Sequence, residues 1–357
     1  MNTDDLRRRK TTKTRWLIAG LLLLTLRLLP AQNQTTDLNL ALPTENDALF
    51  HGSGAEFYQY ITRDFQGVQS TPWQGGQYGF VRDPIETPGG VIYRRFHEGI
   101  DIRPLRRDSR GEPLDEVHAI ADGKVVHVNS VPGSSNYGRY IVVEHRWDGA
   151  SYYSLYAHLA AADVQPGQAV TQGTRLGLMG HTGTGLDRER AHVHLELNLL
   201  LSRHFESWYD NAVKDDPNRH GIYNGLNLIG IDIARLYLAQ RKRPGLTIPQ
   251  FLSDEVTFYK ITLPATKGFD LAERYPWLLR QAPASPPPSW EVSFNRAGVP
   301  LAVAPGESVV AAPAVSFVEK SSGNYSNLTR GILTGTAEHV RLSASGERLM
   351  QLLIWTD

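Results

Sequence analysis

Residues 191–199 read AHVHLELNL, and no other stretch limits the possible folds of this chain so tightly. Polar His192, His194, Glu196 and Asn198 alternate with apolar Val193, Leu195, Leu197 and Leu199. Strict alternation is the pattern of a half-buried strand, because successive side chains point to opposite faces. His192 and His194 therefore share one polar face. A slip of one residue would bury the histidines and expose the leucines, so the register is well specified.

The segment FHEGIDI, residues 96–102, has the same rhythm. His97, Gly99 and Asp101 share one parity, and Ile100 and Ile102 share the other. A helix would also align i and i+4, as in H-E-x-x-H, but Gly99 and the β-branched isoleucines disfavour one. The spacing predicts an extended segment with His97 and Asp101 on the same side. H-x-x-x-D and H-x-H together offer two nitrogen donors and one carboxylate. A catalytic zinc keeps three protein ligands and leaves its fourth position to water. The pattern points to a metal-dependent hydrolase.

Two histidines at i, i+2 are usually solvated surface residues, and a lone histidine is usually structural. The chain order changes that weighting. His158 ends the alternating run SYYSLYAHL, in which Tyr152, Ser154, Tyr156 and His158 share a face. The order is then H-x-x-x-D, Y-A-H-L, a glycine-rich GQAVTQGTRLGLMGHTGTG (167–185), and H-x-H. This order, with the AIADGKVV run (119–126), closely resembles the lysostaphin-like (LytM-type) zinc endopeptidases that cut peptide bridges in bacterial cell walls. The likeness runs from about residue 79 to about residue 199.

The resemblance implies a Zn2+ ion held by His97, Asp101 and His194. It implies that His158 and His192 are the catalytic, non-ligand histidines. One would accept a proton as general base, and the other would polarise the scissile carbonyl or stabilise its oxyanion. All five positions are filled. The family commonly has a Gly-Pro-containing turn before H-x-H, whereas this chain has the charged LDRERA (186–191). That turn is expected on a groove rim. The fold implied is a mainly β catalytic domain, a small, strongly bent antiparallel two-sheet core with a groove floored by sheet.

The chain has 357 residues, formal net charge zero and no cysteine. Zero net charge argues against nucleic-acid binding by general electrostatics. The lack of cysteine removes disulfides and thiolate ligands. Residues 1–31 carry a basic start and a short apolar run, and read as a signal peptide cleaved after Ala31 or as an uncleaved N-terminal anchor. Leu29, at the position where a small residue is usual, keeps the anchor open. Either reading exports the chain across the bacterial inner membrane, to the periplasm or outside the cell. Contact with the membrane follows only if the segment stays uncleaved.

Residues 32–78 are expected to be a lead-in, polar and flexible to about 44 with a short helix within 46–65. Such a segment could cover the groove. Residues 79–201 would form the peptidase domain, with Asp148-Gly149 as a hairpin turn between alternating runs. Tyr93, Tyr137, Tyr152 and Tyr156 are candidates to line the groove. Residues 202–282 are expected to be a mainly helical extension, with helical spacing over 228–242 and Pro249 in the first turn of a short helix. The proline-rich 283–289 is expected to be a linker to a small β-rich accessory domain, 290–357. His204 and His220 lie outside the motifs and are assigned structural or surface roles. The leading function is a secreted zinc-dependent endopeptidase acting on peptidoglycan cross-links. The alternatives are a non-catalytic regulator of the same fold that activates another wall hydrolase, and a zinc endopeptidase acting on extracellular protein. Nothing in the sequence bears on oligomeric state.

Overall fold

The computed structural model describes residues 38–336 and 339–357, so the expected signal peptide or anchor lies outside the described residues. Among those residues no helix is long and apolar enough to cross a membrane.

The alternating 191–199 run becomes the strand Val193–Leu200 of a seven-stranded antiparallel sheet. One edge of this strand pairs with Ala150–Ala157. The other edge is shared end to end. Ile100–Ile102 pairs with its first half and Leu228–Ile231 with its second. The sheet continues through Tyr140–Trp147, Gly123–Asn129 and Ala169–Val170. Asp148 and Gly149, both at positive φ, turn the chain between Tyr140–Trp147 and Ala150–Ala157, as the dipeptide requires. A smaller three-stranded sheet of Glu116–His118, Arg175–Leu178 and Ala161–Ala162 completes the mainly β core.

Val193, Leu195, Leu197 and Leu199 are fully buried on the apolar face. Each stabilises the fold by roughly 1.5–3 kcal/mol relative to exposure. The strand is not half-buried, however, because every residue of Val193–Leu200 is buried. On its polar face His194 donates to Glu196, and Glu196 accepts from Asn198.

FHEGIDI is not one extended segment. His97 ends the strand Gly90–His97, the chain bends at Glu98 and Gly99, and Asp101 lies in Ile100–Ile102. Gly99 is required at the bend, since a Cβ there would lie 2.3 Å from the carbonyl oxygen of Leu195. Gly90–His97 forms a hairpin with Gly79–Thr87, and Arg82 falls opposite Arg95.

Outside residues 79–201 several expectations are corrected. Residues 38–44 are packed, with Leu38 and Leu40 buried and backbone bonds joining Ala41 to Ile120 and His118 to Pro43. The helix within 46–65 shrinks to the single turns Ala48–His51 and Gly54–Phe57, followed by the strand Arg63–Phe65. The helical spacing over 228–242 holds only from Ile233. Leu228–Ile231 instead extends the main sheet, and Asp232 caps the helix Ile233–Lys242 by accepting from the Arg235 N–H. Pro249 does open a short helix, Ile248–Ser253, behind a Thr247/Gln250 capping box.

The proline-rich segment does not separate two bodies. Tyr259–Pro264 before it and Ser289–Phe294 after it pair residue by residue in one four-stranded sheet. All the described residues fall in one compact unit. The sequence misled here because pairing between strands on either side of a proline run leaves no local signal.

Candidate metal centre

The strand pairing explains how the two motifs meet. His194 is the register partner of Asp101 across the sheet, and on its other side it faces Ala157, the residue before His158. His97, Asp101, His192 and His194 are all buried. His158 stands at φ +62° where Ala150–Ala157 ends. That left-handed backbone costs of the order of 1 kcal/mol, and such strain gathers at functional sites.

Among the described residues, His97, Asp101 and His194 form a group able to hold a metal ion. His97 Nε2 lies 3.0 Å from His194 Nδ1 and 3.1 Å from Asp101 Oδ1, and His194 Nδ1 lies 2.9 Å from that same oxygen. Ligands about 2.0–2.1 Å from a tetrahedral zinc stand roughly 3.3 Å apart, so the triangle needs to open by only a few tenths of an ångström. His192 Nε2 lies 3.2 Å from Asp101 Oδ1, just outside the triangle.

Each imidazole is oriented by its other nitrogen. His97 Nδ1 donates to the Gln77 carbonyl at 2.7 Å, His158 Nδ1 to that of Thr182 at 2.8 Å, and His192 Nδ1 to that of Arg190 at 2.6 Å. A carbonyl only accepts, so each Nδ1 carries the hydrogen and each Nε2 is left with a lone pair. The His158 and His192 rings are 4.7 Å apart, and His158 is 5.8 Å from the His194 ring. His194 is turned the other way. Its Nδ1 faces Asp101, and its Nε2 donates to Glu196 Oε1 at 2.8 Å.

Glu196 is itself fixed by Tyr137, whose hydroxyl donates to Oε1 at 2.7 Å, and by the Asn198 amide, which donates to Oε2 at 2.9 Å. Arg82 grips the far side of Asp101, with its guanidinium 2.6 Å from Oδ2. The Asp101 backbone is pinned as well, since its carbonyl accepts from the Gln59 N–H at 2.8 Å. Sequence reading assigned no role to Glu196 or Arg82. Glu196 had a signal, being the next polar residue on the strand face. Arg82 had none, because it is delivered by the hairpin register.

Charge follows geometry. Burial opposes ionisation of Asp101, but His192, His97 and Arg82 outweigh it and hold the carboxyl well below its usual range. Burial pushes His97 down, and it pushes His158 well down, helped by His192 and His194. Burial also works against a charged His194, yet the hydrogen bonds it donates to Asp101 and Glu196 raise it to about 10. A position that draws a proton between two carboxylates is chemically a cation site, and a metal ligand must exchange that Nδ1 proton for the ion. The donor set therefore fits zinc.

The site lies in an open groove whose walls include Gln59, Tyr60, Tyr137, Leu186 and Arg190. The lead-in and the charged 186–191 turn thus both reach the rim. Tyr137 lines the groove as expected. Tyr152 and Tyr156 are instead buried in the core, and Tyr93 is exposed on the hairpin away from the groove lining. His220, assigned a structural or surface role, is part of the groove wall.

Fold and site together define the class of the chain, that of the peptidase-fold proteins with a candidate metal centre on a bent antiparallel sheet. It belongs to peptidase family M23, which matches over residues 95–206. The peptidoglycan DD-endopeptidase ShyA of Vibrio cholerae serotype O1 is 39% identical over 152 residues, covering 40% of this chain and 33% of ShyA. The lipoprotein NlpD of Yersinia enterocolitica is 34% identical over 89 residues, covering 25% of this chain and 79% of NlpD. A zinc-containing peptidase from Vibrio cholerae, known from its crystal structure, is 27% identical with a TM-score of 0.24, covering 40% of this chain and 36% of that one. The chain thus spans about a third of the length of ShyA.

Proposed function

We propose that this chain is an exported zinc-dependent endopeptidase that hydrolyses peptide cross-links of peptidoglycan, with residues 79–201 as its catalytic domain. One observation carries the reading. His97 and His192 turn a lone-pair Nε2 to within 3.1 and 3.2 Å of Asp101 Oδ1, the His158 ring stands 4.7 Å from that of His192, and His194 is ordered there by Glu196. Surface or core histidines have no reason to converge in this way.

In this reading His97, Asp101 and His194 hold the ion. Bound there, zinc would supply Lewis-acid polarisation of the scissile carbonyl and bring the pKa of water toward neutrality. The chain's own residues supply the rest. His158 and His192 are placed on one side of the triad, each locked in the tautomer that can accept a proton at Nε2. One takes the proton from the attacking water and returns it to the leaving amine. The other takes a proton at Nε2 from bulk solvent through the open groove before the attack, donates a hydrogen bond from it to the developing oxyanion, and returns it to solvent after the amine leaves. Arg82 keeps Asp101 ionised and its Oδ1 facing the triad.

The test is digestion of purified cross-linked peptidoglycan by the full chain, with products identified by mass. Loss of cross-linked dimers, blocked by a chelator and restored by zinc, is the expected result. Intact dimers with one equivalent of zinc bound would overturn the endopeptidase reading in favour of a regulator. Dimers untouched while an extracellular protein is cut would overturn the substrate alone.

A further inference from the structure

The groove carries a charge imbalance that the proposed chemistry does not use. Six arginines line it, Arg63, Arg82, Arg95, Arg190, Arg219 and Arg330, against three carboxylates, Glu98, Asp101 and Asp216. Each carboxylate is already matched. Arg82 lies 2.6 Å from Asp101, Arg330 lies 2.6 Å from Glu98, and Arg219 lies 3.3 Å from Asp216. Arg63, Arg95 and Arg190 are left with no acidic partner among the described residues.

These three come from separate parts of the chain. Arg63 belongs to the lead-in, Arg95 to the hairpin directly opposite Arg82, and Arg190 to the charged 186–191 turn. They converge nonetheless. Arg63 has its pKa lowered first by burial and then by repulsion from Arg82, Arg190 and Arg95. The carboxylate that partly offsets this, Asp83, is engaged by Arg94 at 3.7 Å. Arg190 donates to the Gly185 carbonyl, but its Nε is buried without a partner. Like charges gathered in a partly desolvated groove destabilise the chain until an anion enters. Guanidinium forks match carboxylates in geometry as well as charge.

We propose that Arg63, Arg95 and Arg190 form an anion subsite beside the metal-binding triad that takes a free carboxylate of the peptide substrate close to the bond cut. The proposal rests on the peptidase reading. It narrows the substrate class to peptides that keep an ionised carboxylate near the scissile bond, and it places that carboxylate on the Arg82 side of the triad. Cross-linked wall peptides whose carboxylates are amidated are then poor substrates.

The test uses the full chain with zinc and two preparations of the same cross-linked muropeptides. One preparation is native, and the other has its free carboxylates converted to amides with carbodiimide and ammonia. The expected kcat/KM favours the native form by about tenfold or more. In the Arg63→Gln/Arg95→Gln double variant, with zinc content and melting temperature unchanged, that preference disappears. Equal rates on the two preparations overturn the subsite, and so does a double variant that keeps the preference. If the wild type cuts neither preparation, the peptidase reading has failed. The subsite is then decided by binding of fluorescently labelled peptides, where equal affinity for native and amidated forms overturns it.

Discussion

His145 and His194 are both buried, both on strands of the same seven-stranded sheet, and both hydrogen bonded through each ring nitrogen. Their partners differ. His145 Nδ1 meets the Asp122 carbonyl at 2.7 Å and its Nε2 meets the Ser154 hydroxyl at 2.7 Å. His194 stands between the carboxylates of Asp101 and Glu196. Burial pulls His145 down to about 4, with only a partial offset from Asp122. The same burial acts on His194, yet its two carboxylate partners lift it to about 10. Similar burial, with a partner at each ring nitrogen, thus gives opposite positions. One disfavours a positive charge on the ring, and the other favours it. The charge on the partners decides, because a neutral acceptor cannot repay the desolvation of an imidazolium, whereas an ionised one can.

The comparison is broken most severely by removing the cation-receiving ring. His194→Ala is expected to abolish zinc retention and to lower kcat/KM by about a thousandfold or more, because ligand and orientation go together. Zinc content by mass spectrometry and the digestion assay check it, and a variant that retains one equivalent of zinc would sink the ligand assignment. His192→Ala is the next step down. His192 touches Asp101 but lies outside the triangle, so the metal is expected to stay while turnover falls about a hundredfold to ten-thousandfold. Near-normal rates in that variant would contradict its proposed role.

The sequence displayed this centre well because alternation is local. Val193–Leu200 could be read from period two alone, and the five proposed positions do meet in one place. The face shared by Tyr152, Ser154, Tyr156 and His158 did not hold, because Tyr156 lies opposite Leu195 in the core and the left-handed backbone at His158 breaks the alternation before its ring reaches the groove. The sequence hid whatever depends on register between distant strands. Arg82 reaches Asp101 only because Gly79–Thr87 folds back on Gly90–His97. Leu228–Ile231 looked like the start of a helix because apolar residues spaced for a helix face also suit a buried edge of a sheet. The division at 283–289 failed for the same reason, since the strands on either side pair across the proline run. Glu196 was visible as a residue but not as a participant, because its importance depends on which nitrogen of His194 faces the site.

Glu196 sharpens the comparison without removing a ligand. Glu196→Gln keeps the size and one acceptor but removes the negative charge, and so makes the surroundings of His194 more like those of His145. Zinc affinity is expected to fall about 10–100-fold, the usual effect of removing a carboxylate behind a metal-binding histidine. Competition with a fluorescent chelator measures it. Because Tyr137 and Asn198 also bond to Glu196, the variant is expected to lower kcat as well, once saturated with zinc. Unchanged zinc affinity would show that the charge of Glu196 is irrelevant to the site.

His145 offers the smallest effect on activity and the cleanest sign. Its folded pKa of about 4 lies below the unfolded value near 6.5, so the fold favours the neutral ring. Its stabilising contribution is fully present above about pH 6.5 and is lost as pH falls through about 4. The shift corresponds to a loss on the order of 3 kcal/mol across that window. His145→Gln cannot gain a proton there, so its stability is expected to fall less than that of the wild type between those limits. At neutral pH the variant is expected to be about 1–3 kcal/mol less stable, because the amide meets the Asp122 carbonyl and the Ser154 hydroxyl less well. Urea unfolding of both proteins across the window gives the difference directly, and it removes the contribution of the metal-centre histidines, which the two proteins share. Zinc content and kcat/KM per folded molecule are expected to match the wild type. Parallel stability curves for the two proteins would mean that His145 does not carry this pH dependence, and the contrast with His194 would then rest on geometry alone.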